Sequence, residues 1–310
     1  MVTLGGKVMS KSRGNVVDPL EIIEKYGADT CRTYILFVAS PEKELEWNDQ
    51  GVQGIFRFLH KVASLLEIEE GISNTRDPYI LSKTHTIIRD VTHDLESLEH
   101  SAAIMKLVEF TNYLAKYREN TSKKAYHDAV QHLLIMLSAF APHLCEELWE
   151  KLGNRPFISL QKWPSFGEKK INPRLDEFDS LVERAYSDVT QVLSLVKIEP
   201  SRVKLFIAER WEYPLFTQLY HEKSRNIGEL MKKFAGKEHA TDIAKIIQGF
   251  AKGSIRPIVL TQKEELTIFI EARKQLERDF NLTFEIIKAE ESTETKAKQA
   301  LPGKPALFVC

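Results

Sequence analysis

Apolar positions recur at three- and four-residue steps through most of this chain, the spacing of helices that bury one face. From Asp49 onward, Val52, Ile55, Phe56, Leu59, Val62, Ala63 and Leu66 form one such stripe, broken at Gly71-Ile72-Ser73-Asn74 and Asp77-Pro78. A second helix is expected over about 80–98, with Leu81, Ile88, Val91, Leu95 and Leu98 turned inward. Ser101 is placed to cap a third carrying Ile104, Leu107, Val108 and Leu114. A fourth is expected over about 124–140, and Pro142 restarts a short one that ends at Gly153. Consecutive stripes joined by short loops predict an antiparallel bundle.

Ahead of the bundle the elements are shorter. Asp18 is a good N-cap with Pro19 at the first helical position, so a helix over 19–26 is expected to stop at Gly27. Asp29 is expected to cap a second helix over 31–39, ended by Pro41. Behind the bundle, Trp163-Pro164 and Pro173 frame a linker into a long helix carrying Leu175, Phe178, Leu181, Val182, Ala185, Val189, Val192 and Val196. Residues 202–207 alternate with period two and predict a half-buried strand. Helices over 214–222, 226–234, 241–252 and 263–280, strands over 283–287 and 306–309, and a polar hinge over 290–298 complete the pattern. The expected class is mostly α. It comprises a short region over 1–48, a helical bundle over 49–165, and a connecting helix with a small α/β domain over 166–310.

Composition narrows this picture only a little. A chain of 310 residues with 43% hydrophobic content can fill more than one core. Net charge is −1, so any nucleic-acid contact has to come from a local patch. One candidate is Lys116, Arg118, Lys123 and Lys124, which reads as a solvated face or as phosphate contacts. Another lies between Lys223 and Arg256, with eight basic residues against three acids. That excess fits either phosphate binding or lysine faces kept for solubility. Cys31, Cys145 and Cys310 are too scattered for a disulfide framework or a zinc site. The bundle histidines His85, His93, His127, His132 and His143 read as core or surface residues, so no metal ligands are expected. No apolar run is long enough to span a membrane, and a reducing, cytoplasmic setting is expected.

The candidate chemistry lies near the start, in Gly5-Gly6-Lys7-Val8-Met9-Ser10-Lys11-Ser12-Arg13-Gly14-Asn15. Lys11 is a point charge on a flexible stem, Ser10 and Ser12 offer hydroxyls, and Gly14 permits a sharp turn. Such a loop suits a departing pyrophosphate, although basic surface loops share the composition. Neither the Walker-type nor the kinase glycine spacing is present.

The stretch from Met9 to Pro19 resembles the second signature motif of class I aminoacyl-tRNA synthetases. Tyr26-Gly27-Ala28-Asp29-Thr30-Cys31-Arg32, Leu45-Glu46-Trp47-Asn48-Asp49 and the segment from Ala141 to Trp149 resemble the leucyl, isoleucyl and valyl subgroup, in the same order. One departure is Val8, where that family usually carries its first lysine. The stretch from Ala300 to Val309 resembles the end of archaeal and eukaryotic-type leucyl-tRNA synthetases.

The resemblance implies an ATP-dependent ligase reaction that charges tRNA(Leu) with L-leucine. It implies Lys11 as the catalytic cation and Met9, Ser10, Ser12, Gly14 and Asn15 as the rest of an ATP and pyrophosphate loop. ATP would come with Mg2+, and no zinc is implied. Lys232, Lys233, Lys237, Lys252, Lys304, Val309 and Cys310 are the candidate tRNA contacts. The first class I signature, His-x-Gly-His, is absent. The expectation is therefore a C-terminal part or subunit, inactive alone, that completes a site with an N-terminal synthetase portion and has no membrane partner. The alternatives are an isoleucyl- or valyl-tRNA synthetase fragment, or a non-catalytic tRNA-binding module.

Overall fold

The computed structural model describes residues 2–38, 44–67, 73–196, 200–234 and 238–310, in two compact units that divide after Asp176. In the first unit, β1 (Val2–Leu4) and β2 (Lys7–Val8) pair antiparallel through a turn at Gly5 and Gly6. Both glycines take positive φ, +60° and +73°, the backbone a tight hairpin needs and a side chain resists. Next come α1 (Pro19–Tyr26), capped by the Asp18 side chain on the Leu20 N–H, and α2 (Ala28–Val38). The expected helix end at Ala39 and Pro41 lies outside the described residues. β3 (Leu45–Glu46) then runs parallel to β1, giving the order β2-β1-β3.

The bundle follows as α3 (Asp49–Ser64), α4 (Asp77–Glu96), α5 (His100–Tyr117), α6 (Lys123–Leu137) and α7 (Pro142–Lys151). Val52, Leu59, Ile88, Val91, Leu107, Leu133 and Leu134 share one core with Ile22, Cys31 and Tyr34 of the two short helices. The loop-bearing region and the bundle are thus packed as a single body.

Several inward positions differ from the expected ones. In α3, Phe58 is buried, while Phe56 is half-buried and meets Tyr26 edge-on with ring centroids 5.5 Å apart. In α4, Ile80 and Ile87 point inward, whereas Leu81 and Leu98 are 47% and 64% exposed. Leu81 falls on the far face of its helix, and Leu98 lies past the helix end with φ +60°. Ser101 caps nothing, because α5 begins one residue earlier, at His100. Ser122 caps α6, and its own N–H and hydroxyl donate to Asp77 at 2.7 and 2.6 Å, tying the start of α6 to the start of α4.

The second unit takes Leu181, Val182, Ala185 and Val189 from α8 (Pro173–Leu195). Its sheet has the order β5-β4-β6, with β4 (Arg202–Ile207) in the centre. Between β4 and β5 (Thr283–Lys288) run α9 (Glu212–Tyr220), α10 (Ile227–Phe234), α11 (Ala240–Ala251) and α12 (Gln262–Phe280). This crossover makes β4 and β5 parallel, and β6 (Ala306–Val309) pairs antiparallel on the other side of β4. The central place of β4 buries Val203, Leu205, Phe206 and Ile207 together, where alternation alone predicted a half-buried strand. A separate core joins Leu215, Phe216 and Leu219 of α9 to Leu230 of α10 and to Ile243, Ile246, Ile247 and Phe250 of α11. The stretch expected as a polar hinge forms short helical turns at Ala289–Glu291 and Ala297–Gln299, whose Ala289 and Ala297 are buried. Among the described residues, no helix is long and apolar enough to cross a membrane.

Candidate functional site

The loop that starts at Met9 is built from backbone hydrogen bonds and one side chain. Met9 N–H donates to the Val2 carbonyl at 2.9 Å, so the loop leaves directly from the hairpin. Lys11–Arg13 form a single helical turn, with Arg13 N–H donating to the Ser10 carbonyl at 3.0 Å. Gly14 closes it at φ +65°, its N–H donating to the Lys11 carbonyl at 3.2 Å. Asn15 clasps the whole. Its Oδ1 accepts the Ser10 N–H at 3.0 Å, and its Nδ2 donates to the Val8 carbonyl at 3.1 Å. The Ser10 and Ser12 hydroxyls lie 2.8 Å apart.

The result is a loop whose path is fixed while Lys11, Ser12 and Arg13 stay exposed. Among the described residues, Lys11 forms no ion pair or side-chain hydrogen bond. Its ammonium is free to meet an anion from outside. Met9 and Ser10 are half-buried at the root of the loop.

The loop is anchored from behind. Glu46 accepts the Thr3 hydroxyl and the Gly6 N–H, and those two hydrogen bonds hold its carboxyl below the usual range. Trp47 N–H donates to the Thr3 carbonyl at 2.8 Å, and Asn48 N–H donates to the Tyr34 hydroxyl at 2.8 Å. The Leu45–Asp49 segment therefore stitches the hairpin to α2 and to the start of α3. Asp29 does not cap its own helix, because it lies inside α2. It caps α7 instead. Its Oδ2 accepts the Leu144 N–H at 2.7 Å, and its Oδ1 lies 2.9 Å from His143 Nδ1. The N-cap residue of α7, Ala141, has no side-chain acceptor, so a carboxylate from 115 residues earlier satisfies that helix end.

The second unit places the other candidates. Lys232 and Lys252 are exposed, whereas Lys233 is paired with Glu222. Lys237 lies outside the described residues. Lys304 is exposed on a turn that is closed by backbone hydrogen bonds between Leu301 and Lys304 at 3.0 and 2.7 Å. Val309 pairs with Val203, and the Cys310 carbonyl accepts from the N–H groups of Ser201 and Arg202. The strand expected over 306–309 is present as β6. It is held along its length by β4, and Ala306 and Leu307 bury their side chains there.

Beneath that turn lies a polar group that the sequence analysis did not single out. Glu265, fully buried on α12, accepts the Tyr213 hydroxyl at 2.8 Å and the Gly303 N–H at 3.2 Å. Desolvation pushes its carboxyl up to about 7, and it pushes that of the neighbouring buried Glu212 up to about 8. A signal was present, because Glu265 falls on the apolar stripe of Ile268, Phe269, Ala272 and Leu276. Among the described residues, no group of three or more His, Cys, Asp or Glu side chains is placed to hold a metal ion.

Residues 2–48 match the class I tRNA synthetases (I, L, M and V), and residues 77–207 match the anticodon-binding domain of tRNA ligases. The leucine–tRNA ligase of Thermotoga petrophila is 36% identical over 227 residues, covering 68% of this chain and 27% of that one. Those of Pyrococcus abyssi and Pyrococcus horikoshii are 29% and 30% identical, each covering 99% of this chain and 33% of theirs. Among solved structures, the agnB2 LeuRS of Agrobacterium radiobacter K84, in ternary complex with tRNA and LeuAMS, is similar at a TM-score of 0.51 and 26% identity. That likeness covers 67% of this chain and 26% of the other. The chain spans about a quarter to a third of the length of the relatives it matches. Those matches lie over the loop, the bundle and the closing unit alike, and the chain belongs to the leucine–tRNA ligase family of class I tRNA synthetases.

Proposed function

We propose that this chain supplies a pyrophosphate-facing loop and a tRNA(Leu)-docking surface to the ATP-dependent leucylation of tRNA, in the cytoplasm. The observation that carries the reading is the state of Lys11. It is an exposed ammonium, without a partner among the described residues, on a loop whose backbone is already held by Asn15 and Gly14. Adenylate formation displaces pyrophosphate from the α-phosphate of ATP, and negative charge grows on the leaving group. A cation held in place before the reaction favours that transition state over the ground state. Ser10 and Ser12 donate to phosphate oxygens beside it, while Met9, Gly14 and Asn15 keep the path of the loop. Mg2+ enters with ATP, as part of the substrate. L-leucine and the nucleoside of ATP are bound by a further, N-terminal synthetase portion that this chain completes. The bundle and the exposed Lys232 and Lys252 meet tRNA phosphates.

The test uses this chain together with a complementing N-terminal portion of a leucine–tRNA ligase. Lys11→Ala is expected to slow adenylate formation, read as ATP–pyrophosphate exchange, by about 10²–10³-fold with little change in leucine affinity. The chain alone is expected to give no exchange. Unchanged exchange in the variant removes Lys11 from the mechanism, and the chain is then a tRNA-binding module without a catalytic loop.

A further inference from the structure

In the second unit, one cavity of about 320 Å³ is walled by α8, by the loop after α11 and by the turn at 301–305. Three cations from these separate stretches reach it: Arg184, Arg256 and Lys304. All three are exposed, and among the described residues none forms an ion pair. Arg184 gives its Nε–H to the Ser180 carbonyl at 3.1 Å and makes no pair with Asp188, one turn further along α8. Asp188 is the one carboxylate of the lining, and the buried Glu265 beneath the turn also acts on Arg184.

An anion in this cavity would meet cationic side chains from three separate stretches of the chain. The turn that carries Lys304 is held in shape from inside. Gly303 has φ +76°, a Cβ there would lie 2.9 Å from Ile258 Cγ2, and its N–H is taken by the buried Glu265. The rim of the cavity is therefore preset, independently of any ligand. The volume is about ten times the ~30 Å³ share of one water, enough for a phosphate group with part of its shell. Guanidinium forks match phosphate oxygens bidentately, and two of the three cations are arginines.

We propose that this cavity binds one backbone phosphate of an RNA, gripped by Arg184 and Arg256 with Lys304 at the rim. The source of the phosphate rests on the tRNA reading above, but the anion site does not. It also moves the electrostatic weight of the unit away from the lysines of α10, where Lys233 is already neutralised by Glu222.

The experiment compares the full chain with its R184Q/R256Q double variant. Both side chains are exposed, so an unchanged melting temperature in phosphate-free buffer is expected. Binding of a tRNA(Leu) transcript is measured across a salt series. The double variant should bind about tenfold more weakly near 0.15 M salt, and the slope of log K against log salt should flatten by about 0.7–0.9, the value of one phosphate. In parallel, inorganic phosphate should raise the melting temperature of the wild-type chain and leave that of the variant unmoved. A changed salt slope supports the RNA phosphate. Loss of phosphate protection alone keeps the anion site but assigns it to a free phosphate. A wild-type chain that is protected by phosphate yet binds no tRNA removes the tRNA reading and leaves the cavity. An unchanged slope together with equal phosphate response in both proteins overturns the proposal.

Discussion

Asn15 shows how much of a loop's path can depend on one side chain. It reaches back five residues to the Ser10 N–H and seven to the Val8 carbonyl, closing the loop that presents Lys11. Asn15→Ala removes both hydrogen bonds and leaves the Lys11 side chain in place. In the complemented enzyme this variant is expected to lose about 10²-fold in exchange rate, the scale of a misplacement near 1 Å. The melting temperature of the first unit should hardly move, because Asn15 contributes nothing to its core. A rate within twofold of wild type would show that the glycine turn alone sets the loop. The glycine-closed turn that carries Lys11 was legible from the residue pattern around it. The clasp was not, since nothing in the spacing says which carbonyl an asparagine will meet.

Helix ends in the first unit are satisfied across the fold as well as locally. Asp18, Asn48 and Ser122 cap their own helices, as short-range chemistry predicts. Asp29 was expected to do the same and instead serves α7 through Leu144 and His143. Asp29→Ala leaves a helix start without its acceptor and is expected to destabilise the first unit by about 1–3 kcal/mol in urea unfolding. Asp29→Asn, which still offers an oxygen to the Leu144 N–H, should recover part of that loss. Equal stability of all three proteins would mean that water replaces the cap. Deletion of residues 304–310 is likewise an element-sized change, because it removes the edge strand β6 with its buried Ala306 and Leu307. Point substitutions are therefore the cleaner probe of that end of the chain.

The second unit as a body carries two carboxyls whose protonation is coupled to folding. Glu265 and Glu212 are raised to about 7 and about 8 from an ordinary 4.5. The folded unit holds these protons after the unfolded chain has released them. Each group's contribution is thus full below pH 4.5 and is lost as pH rises towards its folded value, by up to about 1.4 kcal/mol per pH unit. Stability of this unit is expected to fall between about pH 5 and pH 8. The E265Q variant, which cannot release a proton, should flatten that fall in denaturant titrations at pH 5, 6.5 and 8. A profile that rises with pH, or one the variant leaves untouched, contradicts the assignment.

Local pattern alone specified α1, β4 and β6 residue for residue, most of the bundle helices to within a few positions, and the loop around Lys11. Those features depend on 3.6- and 2-residue periodicity and on caps and glycines acting within a few residues, so they are written in adjacent positions. The tertiary structure decided which polar groups found partners. It sent Asp29 to a helix 115 residues away and buried Glu265 under a turn 38 residues on. It paired Lys233 and, among the described residues, gave Arg184 and Arg256 no ion pair. An ion pair or a buried hydrogen bond forms only when two groups come within about 3–4 Å. Which groups come that close depends on the packing of whole helices, and no stretch of the chain encodes that by itself.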